Sequence, residues 1–412
     1  MELIFLDAGL QNKAGHSYRL AKAVSENLKR RNLPHRVFGL RSLEASIAQE
    51  TGAIPHFSRS LYDGENYSWW EQRHRAARAL FQDAPDPSSD RSEWRSFKKL
   101  NKEFERDLQN LPGDVWQPGN LLCVVAISQN QILGLIRYLR KLPERRLPRI
   151  ACNLMFPPSF VPWGTVSEFG KRYYREAFEE ATALNGRLHF TVENEAMRDS
   201  YQTDFGIKTQ ILPLPFAGAR PRKATRGPVR IGFFGDSKCD KGFHLLPEAI
   251  ALCQENKLGA EFVVQIQHNH WEPRTIAAEA AIRALKDVRL VEGILSFEDY
   301  ETLTGQIDIM LLPYDPIAFG PARGSGIFTE SVAAGRPVVA AQGTFAGGSV
   351  SRQTAEGEVF APYTGPALAA AIARLVLRLP ACTARAAKRA EEYARCHSPD
   401  AFTGALLELA KA

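Results

Sequence analysis

The sequence predicts an α/β protein made of two Rossmann-like, doubly wound domains that face each other across a cleft, and three observations predict it. Short, near-continuous apolar runs such as LIFL at 3–6 and LLCVVAI at 121–127 read as parallel strands buried on both faces. A strand, loop and helix series opens at the amino terminus, and a second opens at VRIGFFG, residues 229–235. Between them, LPLP at 212–215 and the following AGARPRKATRGP are rich in proline, glycine and basic residues and lack any hydrophobic period, which marks a linker.

The elements follow in order. After the strand at 3–6 comes the polar loop 7–13, then a helix over about 15–31 with Leu20, Val24 and Leu28 on one stripe. Residues 35–40, 121–127 and 149–154 read as the next strands. A long insert over about 42–118 separates the second from the third. It carries Trp69 and Trp70, a break at DAPDP (83–87) and a charged helix over about 93–111, and reads as a helical layer on the sheet or as a carrier of acceptor contacts. Beyond the linker, helices over 241–253, 273–285 and 296–304 alternate with strands at 261–266, 287–291 and 308–312. A helix over 365–377 and a charged helical region end the chain. The expected division is a first domain over 1–216, a second domain over 217–395, and a terminal helix over 396–412 packing back on the first.

Composition narrows the function. With 412 residues the chain is long enough for two domains with separate cores. Its 52 basic against 46 acidic residues give a net charge of +6, which suits an anionic substrate and is too small and dispersed for nucleic acid. No run of eighteen apolar residues is present, and MELIFLDAGL lacks a basic leader, so the expectation is a cytoplasmic protein. Basic residues at 29–31 and 137–141 are read either as solvated helix ends or as contacts with the inner face of a membrane. The six cysteines have no metal-ligand spacing, so reduced thiols and no bound metal are expected.

The most telling stretch is GSGIFTESVAAGRPVVA at 324–340, a glycine-rich turn, a short helix carrying one acid and a buried strand. The glycines allow close approach of a ligand, and the first N–H groups of a helix opening at Gly326 and Ile327 point at an anion. Glu330, one turn in, is placed either to accept hydrogen bonds from vicinal hydroxyls or simply to be solvated. Ligands in open parallel sheets bind beyond the carboxyl ends of the strands, where three loops of the second half fall. Lys238 and Lys241 lie on the first loop, Tyr314 on the second, and Arg323 beside Gly324. Together they offer a nucleoside diphosphate its cations, although each lysine alone reads equally as a surface charge.

These residues resemble the retaining glycosyltransferases of the GT-B fold, in particular the family 4 group. Three motifs carry the resemblance: IGFFGDSKCDKGFHLLPEAI, DVRLVEGILSFEDYETLTGQIDIMLLPY and GSGIFTESVAAGRPVVA; FTVENEAMRDSYQTDFGIKTQILPLPF in the first half is a weaker match. The resemblance implies transfer of a sugar from a UDP-, GDP- or ADP-linked donor to an acceptor hydroxyl on a glycan, lipid-linked sugar, protein or small molecule. It also implies retention and no metal or other cofactor. Lys241 would contact the diphosphate, Glu330 would hold the ribose, and Gly324, Ser325, Gly326, Ile327 and Phe328 would cap the phosphates, with Gly15 approaching from the first domain and Gly235 beneath them. Three positions depart from the pattern. Ala322 stands where a sugar-contacting acid is usual, Asp236 where an arginine is frequent, and Asn153 where a histidine is common. Ser325 or Arg323 is then a candidate sugar contact, Lys238 a substitute cation, and His16 or Asn153 a candidate beside the reacting carbon. Two rivals remain open: a nucleotide-sugar epimerase, and a non-catalytic sugar-nucleotide-binding scaffold.

Overall fold

The computed structural model describes residues 1–13, 16–62, 89–161, 165–166, 168–184, 186–215, 227–267 and 272–411. Among these, fifteen strands form two large parallel sheets and one small hairpin. In the first half they are β1 (Leu3–Leu6), β2 (His35–Leu40), β3 (Ile54–Phe57), β4 (Leu121–Ile127), β5 (Arg149–Leu154), the hairpin β6 (Phe160–Val161) and β7 (Thr165–Val166), β8 (Leu188–Val192) and β9 (Thr209–Ile211). The second half supplies β10 (Val229–Phe233), β11 (Ala260–Ile266), β12 (Val288–Glu292), β13 (Ile309–Leu312), β14 (Val338–Ala341) and β15 (Gly357–Phe360). The first sheet runs β3-β2-β1-β4-β5-β8-β9 and the second β12-β11-β10-β13-β14-β15.

Every residue of β1, β4, β13 and β14 is buried, as strands covered by helices on both faces must be. The first sheet has one apolar core around Phe38, Ile132 and Tyr174 and another around Phe5, Val24 and Leu28; the second is likewise packed on both faces. In each sheet the strand order reverses once, between β1 and β4 and between β10 and β13. At such a reversal the chain leaves the two neighbouring strands toward opposite faces, which opens a crevice beyond their carboxyl ends. The loops 234–242 and 313–325 border that crevice in the second sheet.

Within the insert over 42–118 a strand accompanies the expected helical layer. After the helix Ala45–Thr51 the chain adds β3 to the sheet beside β2. A four-residue edge strand with a proline and only Phe57 buried gives no alternating signal. The helix Ser89–Gln109 then covers the sheet, while Trp69, Trp70 and the break at 83–87 lie outside the described residues. Most of the expected linker, 216–226, also lies outside them.

The helix expected at 365–377 runs unbroken through Pro380 to Cys396. Proline removes one backbone donor there, but Leu379, Cys382 and Ala386 continue the buried stripe begun by Leu368, Ile372 and Leu375. Arg385 and Arg389 also hold the far half to Glu356 at 3.0 Å each. Part of Gly365–Leu409 is long and apolar enough in composition to cross a bilayer, yet here that stripe packs on the second sheet. The final helix, Pro399–Leu409, buries Phe402, Leu406 and Leu409 beside Leu20, Val24 and Leu28 of the first domain. Asn27 donates to Asp400 at 2.8 Å and accepts from Thr403 at 3.0 Å, and His397 Nδ1 lies 3.0 Å from the carbonyl of Leu214.

Candidate active site

The loop after β10 is shaped by two glycines. Gly235 has φ +96°, and its amide donates to Gln265 Oε1 at 2.9 Å. A Cβ on it would stand 2.9 Å from Ile327 Cδ1 and 3.2 Å from Lys241 Nζ, so the bare backbone is what lets each of these side chains come close to the loop. Gly242, at φ +74°, packs against the carbonyl of Pro313 so tightly that any side chain would collide with it. With the Asp315 amide donating to the Asp240 carbonyl at 2.8 Å, this fastens the Lys241 turn to the end of β13.

Lys241 is the cation held deepest in this loop, its side chain 20% exposed against 45% for Lys238. Burial holds its amine below the ordinary lysine range, opposed by Asp236 and Asp240. Asp236 lies 3.3 Å from Lys238 and 3.7 Å from Lys241; burial favours its neutral form, but the two amines keep its carboxyl below the usual range. Asp236 thus supplies the anion between two cations.

The helix Gly326–Ala333, here called the donor-loop helix after the role that the resemblance implies, starts where the sequence places it. Ser325 caps it, accepting from the Phe328 amide at 3.4 Å, and the Ser325 hydroxyl is held 3.0 Å from the hydroxyl of Tyr314, which is buried and stacked on Phe319. The Phe328 amide is therefore occupied and its ring is in the core, which leaves Gly326 and Ile327 as the amides that open the helix. A Cβ on Gly326 would meet nothing within 4 Å, so that face is open to a ligand. Arg323 turns from it: its guanidinium lies over Phe160 and Phe319 at 4.3 and 4.0 Å and donates to the Ala318 carbonyl at 3.3 Å.

Glu330 has partners that its sequence position did not reveal. Arg19 of the first domain forms an ion pair with it, and Tyr300 donates to its other oxygen at 2.7 Å. Arg19 is itself stacked 4.5 Å over Tyr300 and 5.3 Å over Phe297. A carboxylate accepts about four hydrogen bonds, so two acceptor positions remain for hydroxyls beside Arg19.

From the first domain, Gly15 lies outside the described residues, and His16 is described only as the first residue of its helix. Asn153 is 2% exposed inside β5, donating to the Val125 carbonyl at 3.0 Å and accepting from Thr191 at 3.4 Å, so its amide ties three strands together. Two other acids of the first domain, each at the carboxyl end of a strand, were passed over by sequence reasoning. Asp7, at the end of β1, is buried, with one oxygen accepting from the Gly9 amide at 2.8 Å and the other without a partner; burial raises its carboxyl to about 6. Glu193, at the end of β8, reaches the backbone of Gly324, and burial raises it to about 7. Next to it, Asn194 caps the helix Glu195–Phe205 and donates to the carbonyl of Ala322 at 3.0 Å, joining the two domains. Ala322 is buried within the first domain's core cluster.

Asp7 yields a pH prediction. A carboxyl raised in the folded state from 3.8 to about 6 binds its proton more tightly folded than unfolded, so its stabilisation is complete below pH 4 and lost as pH rises through 6. Relative to Asp7→Asn, the protein should lose roughly 3 kcal/mol between pH 4 and pH 7. Urea melts of both forms across that range read the difference, and parallel curves would contradict it.

The second domain thus gathers an enclosed amine, two helix-opening amides and an acid one turn along, which together suit a diphosphate joined to a diol. No family model matches the chain, and no curated protein matches it in sequence. Solved structures do match over their full length. A sucrose-phosphate synthase from Thermosynechococcus elongatus superposes with a TM-score of 0.67 at 12% identity, covering 99% of this chain and 98% of that one. TarM gives 0.67 at 9% identity over 100% and 99%. HepE from Anabaena, in complex with UDP-glucose, gives 0.62 at 13% identity over 99% and 98%. With its two parallel sheets, the chain has the GT-B fold.

Proposed function

We propose that this protein is a glycosyltransferase that moves a sugar from a nucleoside-diphosphate donor to an acceptor hydroxyl. The observation that carries the reading is the approach of Lys241 Nζ and of the Ile327 side chain to the same bare backbone at Gly235, which places a largely buried cation near the start of the helix Gly326–Ala333. Breaking the anomeric C–O bond leaves negative charge on the departing phosphate. A preorganised amine and helix amides stabilise that charge as it forms, without a strong base or a metal ion. Lys238 assists from the rim, and Asp236 releases both lysines when the diphosphate takes its place. Glu330 holds the ribose and Tyr314 fixes Ser325 at the phosphates. Support for a sugar-nucleotide donor comes from the solved complex of HepE with UDP-glucose, a protein of the same fold. Retention at the anomeric carbon and action at the cytoplasmic face of a membrane in glycan or glycolipid assembly complete the proposal.

Calorimetric titration with UDP, GDP, ADP and their sugar conjugates, with chelator present, tests it. Base-selective binding is the expected result; absence of binding by all of them would overturn the reading. One observation favours a non-catalytic sugar-nucleotide-binding role: Glu330 already holds Arg19. A scaffold would bind nucleotide sugar and never release free sugar from it, whereas a transferase hydrolyses its donor slowly when no acceptor is present.

A further inference from the structure

Resting on that reading, we propose that Glu193 is a substrate-contacting residue: its carboxyl, supplied by the first domain, binds hydroxyls of the sugar being transferred at the Gly324 edge of the donor loop. Three observations carry this. The first is placement. Asn194 fixes the end of β8 to the donor loop by donating to the Ala322 carbonyl at 3.0 Å, and the neighbouring Glu193 is thereby carried onto Gly324, where a Cβ would collide with its Oε2. Position 324 must be glycine while the carboxyl stands there.

The second is that Glu193 has no structural employment. Asn194, not Glu193, caps the following helix. Among the described residues no cation pairs with Glu193, and burial alone accounts for its raised carboxyl. The groups that feel its charge are the hydroxyls of Tyr62 and Tyr393; Arg323, which shares the field of Tyr62, is committed to Phe160, Phe319 and the Ala318 carbonyl. A half-buried carboxyl without a partner costs stability, and the cost is met when a ligand satisfies it.

The third is the kind of ligand that fits. An ionised carboxylate here would repel a phosphate, and one acid alone does not hold a divalent cation; no group of three metal-ligating side chains occurs among the described residues. A pair of hydroxyls suits it in either protonation state, because the carboxylate accepts from both and the acid accepts from one while donating to the other. Opposite the amides of Gly326 and Ile327, which take the phosphates, the group that reaches Gly324 is the one attached to the far phosphate.

The test compares ligands with and without the sugar. Titrations of wild type, Glu193→Gln and Glu193→Ala use UDP, GDP and ADP, then UDP-glucose, GDP-mannose and ADP-glucose, with thermal melts as a check on folding. For whichever base binds, Glu193→Ala should weaken the nucleotide sugar about 10-fold or more and leave the bare nucleotide within about twofold. Glu193→Gln, which keeps one acceptor and gains a donor, should fall between. Equal weakening of nucleotide and nucleotide sugar, or no change in either, would overturn the assignment and leave the donor site standing. Binding of nothing by the wild type would remove the glycosyltransferase reading itself.

Discussion

Lys241→Ala is expected to lower donor turnover by about 10²–10³-fold, the effect of deleting one preorganised donor from a site where charge develops. Its amine is enclosed, held below its ordinary range by burial, and stands where Gly235 makes room for it beside the donor-loop helix. Such a group interacts more strongly with a leaving phosphate than with a bound diphosphate whose charge is already spread. Kd for the nucleotide sugar should therefore rise much less than kcat falls. Lys238→Ala, on the exposed rim, should change either by only a few-fold. Equal losses in affinity and turnover for Lys241→Ala would reduce the lysine to a ground-state contact.

The second large effect is expected at Glu330. Its replacement by alanine should weaken binding of the matching nucleoside diphosphate by roughly 1.5–3 kcal/mol, about 10–100-fold, through loss of charge-assisted hydrogen bonds to the ribose. Because the same carboxylate pairs with Arg19, that variant alone does not separate ligand binding from a tie between domains. Arg19→Ala does. It breaks the pair and leaves the acid with Tyr300, so nucleotide affinity should hold or improve. If it falls as far as in Glu330→Ala, the acid serves the interface and the ribose assignment is lost.

The sequence reveals what local pattern and burial dictate. Strands buried on both faces, such as LLCVVAI and the four residues of β13, stand out because nothing polar is tolerated in them. The shortest edge strands do not: β9 is three residues long, and the four-residue β15 carries Glu358, paired with Arg374 and Arg378 of the long helix, whereas the five-residue edge strand β12 was expected. The expected helix stops at 377 because the groups that carry it on past Pro380, Glu356 among them, come from another part of the chain. The glycine turn and the start of the helix at Gly326, capped by Ser325, were legible for the opposite reason, since backbone chemistry within a few residues defines them. Glu193 and Arg19 were not, as their importance depends on Gly324 and Glu330 in the other domain. Asn153 was a candidate for being polar at a strand end, and only the neighbouring strands show where its amide is engaged.

The chain passes between its domains twice, after Pro215 and again between Cys396 and Pro399, and His397 ties the two passages together through the Leu214 carbonyl. A cut beside His397 would therefore leave the two domains joined covalently through one passage alone and would free the final helix from the end of the long helix before it.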